Sequence, residues 1–207
     1  KRFIATKFRL NEGELSSLNK PDWSKIPIEN YWNLHFGHGP ISTGRYLPIL
    51  TSRGCPYPCK FCVVPATNMR KWRARNPASV VSEMEFLSVV HNVNEFHLED
   101  LNPTISNSRI VEICELILEK DLKFQIKIVA GTKIEGIKSV ETIKLMAKAG
   151  FQYISISPES GSKKLLRKIN FGTDKFERRI TYKLIYKSIY TKHKSSIDFK
   201  CSGSIKA

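Results

Sequence analysis

Apolar and polar positions change their rhythm repeatedly along this chain, and the changes fall in a regular order. Leu47 to Thr51 is a short apolar run that ends at Ser52-Arg53-Gly54, which predicts a buried strand leading into a loop. Asn76-Pro77 supplies an N-cap with proline at the first helical position. Val80, Val81, Met84 and Leu87 then recur on one helical face. Glu95 to Leu98 reads as a second strand, followed by the turn Asp100-Leu101-Asn102-Pro103. Ile110, Cys114, Ile117 and Leu118 mark a second amphipathic helix, and Phe124 to Val129 a third strand ending at Ala130-Gly131. Ser139 caps a third helix through Ile143 and Met146, stopped by Gly150. Tyr153 to Ser157 is a fourth strand cut by Pro158, and Ser160-Gly161-Ser162 precedes a fourth helix. Strands alternating with helices of this length predict βαβ units and an α/β fold with a parallel sheet.

The two ends of the chain have a different texture. Residues 1–45 are rich in breakers (Pro21, Pro27, Gly37, Gly39, Pro40, Gly44) with Trp23, Tyr31, Trp32 and Phe36 interleaved, which predicts an ordered arm packed on a domain. Beyond Gly172 the pattern offers a helix-capable stretch and a short strand at Ser196 to Phe199, but no further clear βα unit. The expected organisation is an arm over 1–45, a core over 46–172 and a basic tail over 173–207. The chain opens on Lys1, so a preceding segment is expected.

Composition changes this picture in two places. The net charge of +15 looks like a nucleic-acid signature, but residues 163–207 hold 13 Lys and Arg against 3 Asp and Glu, so +10 of it sits at one end. The core is only mildly basic. The chain has 5 cysteines, an odd number, and three of them (Cys55, Cys59, Cys62) fall within eight residues. A disulfide framework would space them more widely, so clustered thiols without a secretion pattern predict a cytoplasmic metal or cluster protein. No apolar run is long enough to predict a membrane span.

Three thiolates spaced four and three residues apart, in a loop turned by Gly54, Pro56 and Pro58, can wrap one small inorganic core. Thiolates suit iron–sulfur clusters or zinc. Three ligands rather than four leave one iron of a cubane open to a substrate. The Cys-x3-Cys-x2-Cys spacing, with aromatic Phe61 before the last cysteine, resembles the motif of the radical S-adenosylmethionine (SAM) superfamily. Phe96-His97-Leu98-Glu99-Asp100 and Ile154-Ser155-Ile156-Ser157-Pro158-Glu159-Ser160 resemble that family's second-strand and fourth-strand segments.

The resemblance implies a partial TIM-like (β/α) barrel, incomplete at its C-terminal end. It implies a 4Fe–4S cluster on Cys55, Cys59 and Cys62, whose open iron chelates SAM and whose electron releases a 5′-deoxyadenosyl radical. Phe61 is implied at the adenine, and Glu99, Asp100, Glu159 and Ser160 near SAM. Pro21-Asp22-Trp23 through Tyr31-Trp32 resembles the connector that follows a cobalamin domain in the cobalamin-dependent branch, whose members methylate or rearrange organic substrates. Cobalamin is therefore a further expected cofactor, on a domain this chain does not carry. The expected partners are a small-molecule or lipid-like substrate and an electron donor such as a ferredoxin or flavodoxin. The missing last strands lead to the expectation that the isolated chain turns over little.

A competing class stays open. Cys55, Cys59 and Cys62 could form a zinc knot with a fourth ligand from His35, His38, His91, Cys114 or Cys201. Arg70-Lys71-Trp72-Arg73-Ala74-Arg75 and the basic tail could then contact RNA, with Trp72 stacking on a base; an RNA-modifying radical SAM enzyme is the reading between the two. Cys114, on an apolar helix face, reads as a small hydrophobe.

Overall fold

A computed structural model describes residues 15–17, 19–156, 159, 160, 162–169 and 198–201. The arm carries a short helix α1 (Ile28–Asn33), then strand β1 (Tyr46–Ile49) enters the sheet. A two-residue strand β2 (Ser52–Arg53), helix α2 (Val64–Asn68) and strand β3 (Arg73–Ala74) follow. Helix α3 (Pro77–His91), β4 (Glu95–Leu98), α4 (Asn107–Glu119), β5 (Gln125–Thr132), α5 (Val140–Lys148), β6 (Phe151–Ile156) and α6 (Lys163–Lys168) complete the alternation. A last strand, β7, spans Asp198–Cys201. The main sheet runs β1-β4-β5-β6-β7, every adjacent pair parallel, while β2 and β3 form a separate antiparallel pair.

The caps fall where the sequence places them. Asn76 accepts from the Ala78 amide, Ser139 from Thr142 and Ser162 from Leu165, each satisfying an orphan donor of a first turn. Gly150 ends the α5 turn with φ +97, and a Cβ there would lie 1.9 Å from the Phe124 carbonyl oxygen, so only glycine fits. Leu47, Ile49, Phe96, Leu98, Ile126, Ile128, Ile154 and Ile156 form one apolar face of the sheet and join Val80, Met84, Ile110, Cys114, Ile143 and Met146 of the helices in one core. Leu118, expected on that face, is exposed instead.

The strand after residue 172 also departs from expectation. It lies at Asp198–Cys201 rather than 196–199 and extends the parallel sheet to five strands. The rest of the expected tail, residues 173–197 and 202–207, lies outside the described residues.

The opposite face of the sheet is polar yet buried. In register across β1, β4 and β5, Pro48, His97 and Lys127 stand side by side, with Glu95 on the same face as His97. Glu95, His97 and Lys127 are at most 2% exposed because the arm crosses over them. Lys127 Nζ donates to Glu95 Oε1 at 2.6 Å, Pro40 O at 2.5 Å and Ser42 Oγ at 2.7 Å. Glu95 also accepts from the Ser42 and Thr43 amides, and His97 lies 2.9 Å from its Oε1 and stacks on Tyr46. Gly39 fits against Val129, where a Cβ would come within 2.4 Å of its Cγ1. Ile28 and Trp32 of α1 enter the main core, and Trp32 Nε1 donates to Tyr46 O at 2.7 Å. The described part of the arm is thus packed on the sheet.

Candidate functional site at the strand ends

The cysteine loop leaves the sheet at β2 and returns at β3, so the two-residue ladder closes it at its base. Gly54 has φ +84, and a Cβ there would meet the Lys71 carbonyl oxygen at 2.0 Å. Only glycine lets the outgoing and returning chains approach so closely. Inside the loop Cys62 N donates to Cys59 O at 3.1 Å, and Arg70 Nε donates to Pro56 O at 3.3 Å. Lys60 N donates to Ile169 O at 3.1 Å, tying the loop to the far end of α6.

Asp100 anchors the loop from below. It accepts from the Thr51 amide and the Thr51 hydroxyl, both at 2.7 Å, and from the Ser52 hydroxyl. Arg109 donates to Thr51 O at 2.7 Å and to Arg75 O at 3.0 Å, bracing both strands at the base of the loop. Burial pushes the Asp100 carboxyl up, against the hydrogen bonds of Ser52 and Thr51 and the charge of Arg109. Both carboxylate oxygens are engaged by Thr51 and Ser52, the residues that open the loop, which is the geometry of a loop anchor. Replacing Asp100 with alanine strands three buried donors, and we expect a loss on the order of 3 kcal/mol of stability in urea unfolding, with Asp100→Asn intermediate.

The three thiols lie within electrostatic reach of one another. Cys59 is 8% exposed, and Cys55 and Cys62 are half-buried. Burial raises the Cys55 thiol; the Tyr57 amide and the Lys133 ammonium pull it down, and Cys62 pushes it up. Burial likewise raises Cys59, opposed by Lys133 and reinforced by Cys55, Cys62 and Glu159. Mutually repelling, half-sheltered thiols form a donor set that gains strongly from a soft cationic core, because coordination deprotonates them outright. Among the described residues no three His, Cys, Asp or Glu close around a single metal ion. A cubane spreads its ligands over a core several atoms wide, and one loop carrying three thiols fits it. Cys114, one of the candidate fourth ligands, is fully buried in α4, and its thiol is pushed up to about 12 by burial and Glu115.

The other expected residues also stand at carboxyl ends of parallel strands, where βα folds gather their functional groups. Glu159, exposed and with φ +62, follows β6, and its charge reaches Cys59. Ser160 beside it accepts from the Ser162 amide at 3.0 Å. Phe61 is 55% exposed on the loop. Glu99 follows β4, its Oε2 2.7 Å from His38 Nδ1 of the arm. It lines a cavity of about 270 Å³ with Trp23, Pro48, Ser52, Arg53 and Glu83.

Lys133 and Tyr57 are not singled out by the sequence reading, whose third strand ends at Ala130-Gly131. Lys133 Nζ sits 3.8 Å from the Tyr57 ring centroid. The basic run differs from a solvated loop: Arg75 turns inward to Glu83 at 2.5 Å and to Leu50 O at 2.9 Å, and the Trp72 Nε1 is buried.

A parallel βα sheet with a three-thiol loop after its first strand, and polar groups at the following strand ends, is an α/β core of the TIM-like kind. The sequence model of the radical SAM superfamily matches residues 49–187, and the chain belongs to that superfamily. It is 31% identical over 166 residues to the anaerobic magnesium-protoporphyrin IX monomethyl ester cyclase of Cereibacter sphaeroides, covering 80% of this chain and 26% of that protein. It is 28% identical over 158 residues to the cytidylyl-2-hydroxyethylphosphonate methyltransferase of Streptomyces wedmorensis, covering 76% and 29%. The chain therefore spans about a quarter of the length of the curated relatives it matches. Among solved structures, the radical SAM methyltransferase TsrM of Kitasatospora setae, with cobalamin and a [4Fe–4S] cluster bound, aligns at a TM-score of 0.60 and 20% identity, over 74% of this chain and 30% of that one. The cobalamin-dependent SAM radical enzyme OxsB, with aqua-cobalamin and SAM bound, aligns at 0.58 and 21%, over 75% and 23%. The superfamily implies a 4Fe–4S cluster and SAM as cofactors. No helix among the described residues is long and apolar enough to cross a membrane.

Proposed function

We propose that this chain is the catalytic core of a radical SAM enzyme, in which Cys55, Cys59 and Cys62 hold a 4Fe–4S cluster and SAM binds beside it. The observation that carries the reading is the three-thiol loop, closed at its base by β2 and β3 directly after the first strand of the parallel sheet, in a chain that the superfamily model matches over residues 49–187. When bound, the cluster supplies the electron that cleaves the sulfur–carbon bond of SAM and releases the 5′-deoxyadenosyl radical. The chain's own residues bind, orient and shelter. Glu99 and Glu159 offer carboxylates to the cationic end of SAM, Ser160 a hydroxyl to its ribose or methionyl group, and exposed Phe61 a ring face for its adenine. Asp100 acts beneath them, holding the loop in shape. A sheltered site favours radical transfer to substrate over side reactions.

The reaction class we favour is cobalamin-dependent methylation or rearrangement of a small organic substrate in the cytoplasm, with an electron donor of the ferredoxin or flavodoxin kind. Its support is the arm that resembles a cobalamin-domain connector and the methyltransferases and cyclases among the relatives. In this reading 1–45 is the connector, 46–172 the core and 173–207 a basic extension. A zinc knot binding RNA is less well supported, since Trp72 and Arg75 are turned into the domain.

The test is SAM cleavage by the anaerobically reconstituted chain with titanium(III) citrate, read as 5′-deoxyadenosine by chromatography. The expected result is slow formation that Cys59→Ala abolishes. A brown, SAM-binding chain that forms none under strong reductant would contradict the proposal.

A further inference from the structure

We propose that Lys133 is the fixed counter-charge of the cysteine loop and sets the reduction potential of the cluster held there. The proposal rests on Cys55, Cys59 and Cys62 being the cluster ligands. Lys133 is only 7% exposed, so water screens its charge less than that of a surface lysine. Its Nζ lies over the Tyr57 ring at 3.8 Å, and Tyr57 sits between Cys55 and Cys59 in the loop. That position sets its charge beside the stretch of loop that carries both sulfurs. Glu159, the acidic group expected at the next strand end, is exposed and therefore better screened by water.

The backbone that presents Lys133 is held on two sides. Its carbonyl accepts from the Gly136 amide at 3.1 Å, and the Thr104 hydroxyl oxygen lies 3.3 Å from it on the other side. Thr104 and the preceding Thr132 are locked to each other at 2.6 Å, and Thr132 Oγ1 donates to Asn102 Oδ1 at 2.6 Å, all of them buried. A Cβ at Gly136 would come within 2.0 Å of Thr104 O, so the turn after Lys133 closes tightly on the same anchor. The ammonium is therefore placed before any cofactor arrives.

The consequence is electrostatic. Reduction adds one electron and one negative charge to the cluster while its ligand bonds stay intact, the electron coming from an external reductant. A nearby buried cation stabilises the reduced form more than the oxidised one, which raises the potential. Removing the charge should make the cluster harder to reduce.

The experiment is a redox titration of the anaerobically reconstituted chain, followed by the electron paramagnetic resonance signal of the reduced cluster, for the parent, Lys133→Met, Lys133→Gln and Lys133→Arg. Both neutral variants are expected at a more negative midpoint than the parent, with Lys133→Arg close to it. Neutral variants that lose iron while Lys133→Arg keeps it would also support the counter-charge role. A midpoint unchanged in Lys133→Met, or displaced equally in Lys133→Arg, would overturn the proposal, as would loss of iron from all three. A parent without a 4Fe–4S signal would remove the ligand assignment itself, and the proposal with it.

Discussion

Replacing Cys55, Cys59 or Cys62 singly with alanine is expected to take iron and sulfide from a full cubane complement to background in the reconstituted chain, and to bleach its brown colour. Two thiolates cannot hold a cubane against loss to solvent when the third corner is open as well as the SAM iron. Cys59 should be the most sensitive, because it is the most buried of the three and touches the electrostatics of both other thiols. Cys114→Ala provides the contrast. That thiol is fully buried in the helical layer, so its loss should leave iron content unchanged and cost only packing. Iron and sulfide analysis across the four variants reads the outcome. Retention of iron in any of the three loop variants, or its loss in Cys114→Ala, would mean that the loop is not the cluster's seat.

Lys127→Met should produce the largest loss of stability. Lys127 and Glu95 are fully buried partners, and removing one leaves the other's charge stranded. Breaking such a pair costs about 3–5 kcal/mol. Glu95→Gln in the same chain should recover part of that loss by removing the stranded charge, which a urea unfolding series would read directly. The pair also fixes an acid limit. Burial pushes the Glu95 carboxyl up, but hydrogen bonds from His97 and Lys127 and from the Ser42 and Thr43 amides outweigh it and hold the carboxyl at about 2. A depressed carboxyl stabilises the fold above its ordinary value of 4.5, and that contribution fades as pH falls from there toward about 2. In Lys127→Met one of the groups that hold the carboxyl down is gone, so less of this contribution exists to lose and stability should fall less steeply between pH 4.5 and about 2 than in the parent.

That buried network also marks where the sequence is hard to read. Glu95, His97 and Lys127 alternate with apolar residues, a pattern that ordinarily means one solvated strand face. What buries them is the arm, through the Pro40 carbonyl, the Ser42 hydroxyl and the close fit of Gly39 on Val129. Contacts made by backbone atoms and by a missing side chain leave no periodic trace. The β2–β3 pair escapes for a related reason, since two residues per strand are too few to alternate. Asp100 sits in an acidic strand-end motif, yet its partners, Thr51 and Ser52, are some fifty positions away. Pattern alone cannot separate a loop anchor from a ligand contact.

Helices α3 to α6 and strands β1, β4, β5 and β6 are legible because their signals are local. Asn76, Ser139 and Ser162 cap the helices they precede, and the apolar stripe of α3 from Val80 to Leu87 faces the sheet. The three cysteines are legible because their ligand chemistry is written in spacing of four and three residues. Lys133 is not, since nothing in Gly131-Thr132-Lys133 reveals that the chain bends back to the thiols.

The central claim is that the loop holds a cubane with one iron open to SAM. Its most direct measurement is the electron paramagnetic resonance spectrum of the anaerobically reconstituted, reduced chain, recorded with and without SAM. A 4Fe–4S signal whose shape changes when SAM is added is the predicted result, and loss of that change in Glu159→Gln would tie the carboxylate beside Cys59 to SAM. A signal indifferent to SAM, or zinc in place of iron, would contradict the account.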